Sequence, residues 1–166
     1  MESMNYCVQC GTKLIERELA GEGMVPYCTS CQEFRFPYFN VAVSMIVKNP
    51  AEDKILLIQQ YGRKDYILVA GYVNKGEDAE HAVARELQEE TGLKAGNIRF
   101  NRSHYFAPSN TLMLNFSCTV ERESLAELTD EVDSAKWFSI EDAKENIKKN
   151  SLAQQFLNEF LGGCDV

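Results

Sequence analysis

The chain has 166 residues, about one ordinary domain with room for a small appendage. With 45% hydrophobic residues, 25% charged residues and 4 prolines, it is neither collagen-like, nor a coiled coil, nor disordered. The net charge of −8, from 17 basic and 25 acidic side chains, speaks against a DNA-binding or RNA-binding face, which needs clustered Lys and Arg. The excess is local: residues 121–146 carry 9 acidic and 3 basic side chains, residues 1–36 carry 5 and 3, and residues 37–120 balance at 9 each. Converging carboxylates would suit a divalent cation. No apolar run approaches the roughly 18 residues of a membrane span, and MESMNYCVQC has neither the basic nor the apolar region of a secretory signal. A cytoplasmic setting with reduced thiols and no membrane partner is therefore expected.

Taken in chain order, Cys7, Cys10, Cys28 and Cys31 form CxxC-x17-CxxC, the spacing of a four-thiolate zinc site. Each pair can turn two thiolates toward one tetrahedral ion, with KLIEREL and MVPY as short strands around Ala20-Gly21-Glu22-Gly23. Two disulfides or a redox pair are the alternatives. No βαβ pattern surrounds either pair and the compartment is reducing, so structural Zn²⁺ in a ribbon over residues 1–36 is the expectation. Cys118 and Cys164 stand alone and read as buried or incidental thiols.

Beyond Phe36-Pro37 the pattern changes. NVAVSMIVK and DKILLIQQY read as strands, followed by an apolar stretch over 66–73 that reaches Gly71. Residues 77–92 read as a helix closed by Gly92 at C′. Residues 98–105, 112–121 and 135–138 read as strands, and 140–148 and 151–161 as helices. Strands and helices do not alternate regularly. Residues 37–166 are therefore expected to form a mixed α/β (α+β) sandwich, with no doubly wound parallel sheet.

On the 77–92 helix, with Glu86 at zero, Glu89 falls at about −60° and Glu90 at about +40°. Ala79, Ala82 and Val83 share that side, while His81, Ala84, Gln88 and Thr91 are expected on the opposite one. A solvated acidic face would oppose the apolar stripe, whereas these glutamates sit within it. Like charges at this spacing also repel, and Arg85 can neutralise only part of the repulsion. A cation held by oxygen ligands, Mg²⁺ or Mn²⁺, is the better reading, and such ions bridge to substrate phosphates.

The segment Gly71–Leu93 resembles the Nudix box G-x5-E-x7-R-E-U-x-E-E-x-G-U at every fixed position: Gly71, Glu77, Arg85, Glu86, Leu87, Glu89, Glu90, Gly92 and Leu93. The resemblance implies an α/β/α Nudix sandwich with a mixed sheet, hydrolysing a nucleoside diphosphate linked to another group. By it, Glu86, Glu89 and Glu90 are metal ligands, and Gly71, Glu77, Arg85 and Gly92 shape the loop and helix. A four-cysteine ribbon before such a domain resembles the NADH pyrophosphatase branch of the family, with that branch's extra N-terminal domain expected to be absent. Ser103–Met113 is similar to its S-Q-P-W-P-F-P-x-S-L-M at Ser103, Leu112 and Met113, with Phe106 and Thr111 conservative, and departs at His104, Tyr105, Ala107, Pro108 and Ser109. The segment 131–138 resembles E-I-x-x-A-R-W-F, whose glutamate, here Glu131, reaches the metal. Ser151-Leu152-Ala153 resembles the S-I-A that closes the dinucleotide pocket, and Tyr72 replaces a base-stacking aromatic, with a buried core tyrosine as the alternative reading.

These likenesses imply that Glu90 or Glu131 is the general base, with His104 an alternative. They also imply that Tyr72, His104, Phe106, Thr111, Met113 and Ala153 face the substrate. NADH or NAD would give AMP and a nicotinamide mononucleotide. ADP-ribose or another nucleoside diphosphate derivative is the alternative substrate, and a nucleotide-sensing binding module the alternative of another class. The resemblance further implies a homodimer and no DNA partner, and leaves an RNA cap open.

Overall fold

A computed structural model describes residues 4–125 and 128–163, and the chain divides into two units, Met1–Phe39 and Asn40–Val166. In the first, β1 (Ile15–Leu19), β2 (Gly23–Cys28) and β3 (Glu33–Phe34) form an antiparallel three-stranded sheet. Gly21 and Gly23 take positive φ in the β1–β2 turn, which side-chain-bearing residues disfavour. The strand β3 is too short to leave a periodic signal. It is fixed by the pairs Tyr27↔Phe34 and Cys28↔Glu33 and by an edge-to-face ring contact of 5.0 Å between Tyr27 and Phe34. Among the described residues of this unit, Cys7, Val25 and Cys28 are the buried apolar ones, too few to hold so short a segment together without a staple.

In the second unit, β4 (Asn40–Lys48), β5 (Lys54–Gln60), β6 (Val69–Tyr72), β7 (Ala95–Phe106), β8 (Thr111–Val120) and β9 (Val132–Ser139) build one sheet in the order β7-β8-β4-β5-β9, with β6 also on β4. The β4–β8 pair is parallel and the others antiparallel, so the sheet is mixed. Helix α1 (Ala79–Thr91) covers one face, burying Ala82, Val83 and Leu87 against Val43, Met45, Leu56, Ile58 and Val69. Helices α2 (Ile140–Asn146) and α3 (Leu152–Leu161) cover the other, where Phe156 and Leu157 join Ile46, Ile55 and Leu57. This is the expected α/β/α sandwich. Ser139 and Ser151 cap α2 and α3 by accepting from Asp142 N and Gln154 N, both at 3.1 Å, each cap worth about 1 kcal/mol. Gly92 ends α1 with φ 71°, as its place in the sequence predicts.

Two strands run longer than the sequence indicates. β7 begins at Ala95, a start the sequence does not mark because the register with β8 shifts twice and breaks the alternation of a regular strand. β9 begins at Val132, drawn into line by Gln60, where the β5–β9 register also shifts. Thr91 lies buried, not on the solvent side, since Leu87 moves the centre of the helix's apolar stripe toward it and Thr91 Oγ1 donates to Leu87 O at 2.6 Å. Cys118 is buried, and burial pushes its thiol up to about 12. Cys164 lies outside the described residues. Among the described residues, no helix is long and apolar enough to cross a membrane.

Candidate active site and metal centres

The four sulfurs of Cys7, Cys10, Cys28 and Cys31 lie within 4.8 Å of one another. Cys10 and Cys28 are 3.5 Å apart, and Cys7 and Cys31 are 3.9 Å apart. A tetrahedron with Zn–S bonds of about 2.3 Å has edges of roughly 3.8 Å, so the thiols fit zinc and are too far apart for disulfides. The two CxxC turns are built alike: Gly11 N donates to Cys7 O and Gln32 N to Cys28 O, both at 2.8 Å, and Gly11 and Gln32 both take left-handed φ. Arg35 Nε donates to Cys7 Sγ at 3.2 Å, which draws that thiol down to about 6. Four thiolates would complete the coordination of a zinc ion and leave no place for water, the mark of a structural site.

In the second unit, Gly71 and α1 bring the Nudix-type residues together. A Cβ at Gly71 would meet the Glu86 carboxyl carbon at 1.9 Å, so only glycine lets that carboxylate rest against β6. Arg85 is the hub. It donates to Glu77 twice (2.8 and 2.9 Å), to Glu86 at 2.7 Å, to Glu89 at 3.0 Å and to Tyr72 O at 2.9 Å. Asn74 N also donates to Glu77 at 3.0 Å, and these partners, Arg85 foremost, bring the Glu77 carboxyl down to about 2. The loop before α1 is thus tied to the helix by charge-assisted bonds.

Glu90 is 5% exposed, and its Oε2 has no hydrogen-bond partner. Burial, and then the charges of Glu86, Glu131 and Glu89, push its carboxyl up to about 8, while a hydrogen bond from Gln60 opposes the rise. Glu131, from the loop entering β9, belongs to the same cluster and accepts from Tyr61 Oη at 3.0 Å. An unpaired carboxylate oxygen buried among like charges is the environment that a divalent cation relieves. Among the described residues, the four thiols are the one group of three or more potential ligands with their atoms within 4.8 Å of one another. Glu89, with 56% of its side chain exposed, lies at the edge of the carboxylate cluster. Sequence reasoning missed Gln60 and Tyr61, which carry no motif and end an ordinary strand.

The expected substrate-facing residues lie on the other side of the sheet. Tyr72 pairs with Ala42, Ala42 with Met113 and Met113 with His104, making one lateral row, and Asn40, Thr111 and Phe106 make the next. Partners in a row point to one face, here the α3 face, where Met113 and Ala153 pack with Phe156 and the His104 ring meets that of Phe156 at 6.5 Å. A cavity of about 350 Å³ lies there, lined by His104, Phe106, Ser151, Leu152, Gln154 and Asn158 among others. Tyr72 is 58% exposed, which leaves its ring free to stack and rules out a core role. Thr111 is buried, its hydroxyl bonded to Ser109 O at 3.0 Å, and so supports the loop. The carboxylates and the aromatic row thus occupy opposite faces and meet at the neighbours Gly71 and Tyr72.

The model of the NUDIX domain matches residues 38–160, and the chain belongs to that family. It is 29% identical over 158 residues to the NAD-capped RNA hydrolase NudC of Vibrio atlanticus, covering 94% of this chain and 57% of that protein. With the protein of the same name from Photobacterium profundum it shares 29% over 163 residues, covering 97% and 59%. The chain therefore spans about six-tenths of the length of these curated relatives. Among solved structures, a NUDIX hydrolase from Nitrosomonas europaea superposes with TM-score 0.64 at 20% identity, covering 96% of this chain and 94% of that one. The NUDIX domain of Shewanella oneidensis NrtR, complexed with ADP ribose, superposes with TM-score 0.65 at 16% identity, covering 82% and 92%. These structural likenesses support the fold.

Proposed function

We propose that the chain is a divalent-metal-dependent pyrophosphohydrolase that cleaves NADH, NAD or a related dinucleotide to AMP and a nicotinamide mononucleotide. The observation that carries this reading is the buried, unpaired Oε2 of Glu90, set among Glu86, Glu89 and Glu131 behind a loop tied down by Arg85. Glu86, Glu89, Glu90 and Glu131 would hold Mg²⁺ or Mn²⁺. The bound cation supplies neutralisation of the phosphate charge and a positioned water. Glu90 or Glu131 accepts the proton of the attacking water, and Glu77 and Arg85 keep the helix start in place. On the other face, Tyr72 stacks on a base, while His104, Phe106, Met113 and Ala153 shape its pocket, with Thr111 supporting the loop beside them. The four thiolates hold structural Zn²⁺. The same reading places the protein in the cytoplasm as a homodimer.

The departure of residues 104–109 from the NADH pyrophosphatase pattern favours a second reading, with ADP-ribose or another nucleoside diphosphate derivative as substrate. The names of the relatives add NAD-capped RNA to the candidates. One panel decides among them: NADH, NAD, ADP-ribose and NAD-capped RNA, each assayed for released product with Mg²⁺ and with Mn²⁺. Turnover of NADH or NAD to AMP is expected, and turnover of ADP-ribose with none of the dinucleotides would replace the first reading by the second. Binding of nucleotides with no hydrolysis of any would leave a sensing module.

A further inference from the structure

The last residue of β5 and the two turn residues after it each grip an acid from another part of the fold. Gln60 Nε2 donates to Glu90 Oε1 at 2.8 Å, from a side chain that is itself buried. Tyr61 Oη donates to Glu131 Oε2 at 3.0 Å, and Gly62 N donates to Asp133 Oδ2 at 2.6 Å. With a cation bound Glu90 is ionised and only accepts, so there the Gln60 amide presents its NH₂ to it. That bond occupies one oxygen of Glu90 and leaves the other, Oε2, as the unpaired atom.

The backbone here is unusual. Tyr61 and Gly62 both take positive φ (55° and 69°), and Arg63 N closes the turn onto Gln60 O at 3.1 Å. Turns with two left-handed central residues favour Asn-Gly or Gly-Gly, because a side chain strains that conformation. A bulky tyrosine at the first central position costs local stability, and the residue is 66% exposed, so no core packing offsets it. The conformation does deliver its hydroxyl to Glu131.

We propose that Gln60 and Tyr61 are positioning residues of the carboxylate site: a clamp at the end of β5 that fixes Glu90 and Glu131 relative to each other and sets how tightly the divalent cation is held. The proposal rests on the reading of that site as metal-binding. Hydrogen bonds behind metal-binding side chains typically carry about 10-fold to 100-fold in affinity or activity. The two bonds span two separate elements, the C-terminal end of α1 and the start of β9, so removing either should loosen one acid without moving the other.

The test compares the full chain with Tyr61→Phe, Gln60→Met and Gln60→His, using Mn²⁺ titrated by electron paramagnetic resonance in the absence of substrate, alongside kcat and KM. Tyr61→Phe deletes one exposed hydroxyl and keeps the ring, so its fold is secure even where Gln60→Met perturbs packing. The expected result is a Mn²⁺ Kd raised at least about 5-fold in Tyr61→Phe and in Gln60→Met. A matching fall in kcat is expected, with the KM for nucleotide within about 2-fold. Gln60→His, which keeps a donor, should recover part of both. If the parent binds Mn²⁺ and turns over, Glu90→Gln abolishes turnover, and yet Tyr61→Phe and Gln60→Met both match the parent, the clamp is refuted and the metal site stands. A parent that neither binds Mn²⁺ nor turns over would overturn the site and the clamp together.

Discussion

The Glu86 carboxyl group occupies the space beside Gly71 that a side chain would need: a Cβ at position 71 would lie 1.9 Å from the Glu86 carboxyl carbon. Gly71→Ala should therefore push the carboxylate off β6 while leaving the backbone conformation acceptable. The atoms that must move are the far end of a flexible side chain, so stability should change little. We expect a nearly unchanged melting temperature and a fall in kcat of at least about 10-fold, read by calorimetry and by steady-state assay. Unchanged kcat in Gly71→Ala would show that Glu86 works equally well from a displaced position.

The buried Glu90 makes the metal-free protein sensitive to pH. Its carboxyl is raised from the ordinary value to about 8, so the folded state holds the proton more tightly than the unfolded chain does. The associated stability is fully present below about pH 4.5 and is lost as pH rises through about 8. A penalty on the order of 2 kcal/mol would lower Tm by roughly 4–8 °C. Melts in EDTA from about pH 5 to about pH 9 should show this decline. Saturating Mg²⁺ should reverse it, and Glu90→Gln should flatten it.

Glu77 has the opposite sign. Arg85 holds its carboxyl down to about 2, so its contribution is present above the ordinary value and disappears as pH falls from about 4.5 toward 2. Glu77→Gln should remove that part of the acid sensitivity, detectable as a smaller drop in Tm between about pH 5 and pH 3. Because glutamine keeps one acceptor oxygen but no charge, Arg85 would lose one of its two bonds to residue 77, and kcat should fall as well.

Zinc removal should act on one unit. With the thiolates of Cys7, Cys10, Cys28 and Cys31 released, amide hydrogen exchange should rise over residues 4–39 and stay low in β4, β5 and β8. Turnover with added Mg²⁺ should persist. Complete loss of hydrolysis on zinc removal alone would show that the ribbon is needed for the reaction.

Tyr72→Ala should separate binding from chemistry. The ring is exposed on the face away from Glu86, so its loss should raise KM for a dinucleotide with kcat within about 2-fold, the mark of an interaction equal in ground and transition states. One stacking contact is worth about 1–3 kcal/mol.

Much of this arrangement was legible in the residues. The box spacing placed Glu86 and Glu90 on the buried side of α1, and the CxxC pairs marked the thiol cluster, because helix and turn geometry alone dictate both. The 100° rule erred at Thr91, since Leu87, left out of the stripe, shifts its centre. What stayed hidden needed partners distant in sequence. Strand β3 exists only through its pairing with β2, the onset of β9 depends on Gln60, and the grip of Gln60 and Tyr61 on Glu90 and Glu131 spans 30 and 70 residues. Nor does linear order reveal that Tyr72, Met113 and His104 form one row, which depends on the register of four strands.

The alternation of Gly71 and Tyr72 makes the end of β6 a two-sided hinge of specialisation. On the proposed reading, substitutions at His104, Phe106 and Met113 and at the start of α3 would reshape the base-facing surface without touching the face that carries Glu86. A single inserted residue between 71 and 72 has no such freedom: with the strand before it in register, Gly71 stays against Glu86 while the aromatic ring is turned to the opposite face.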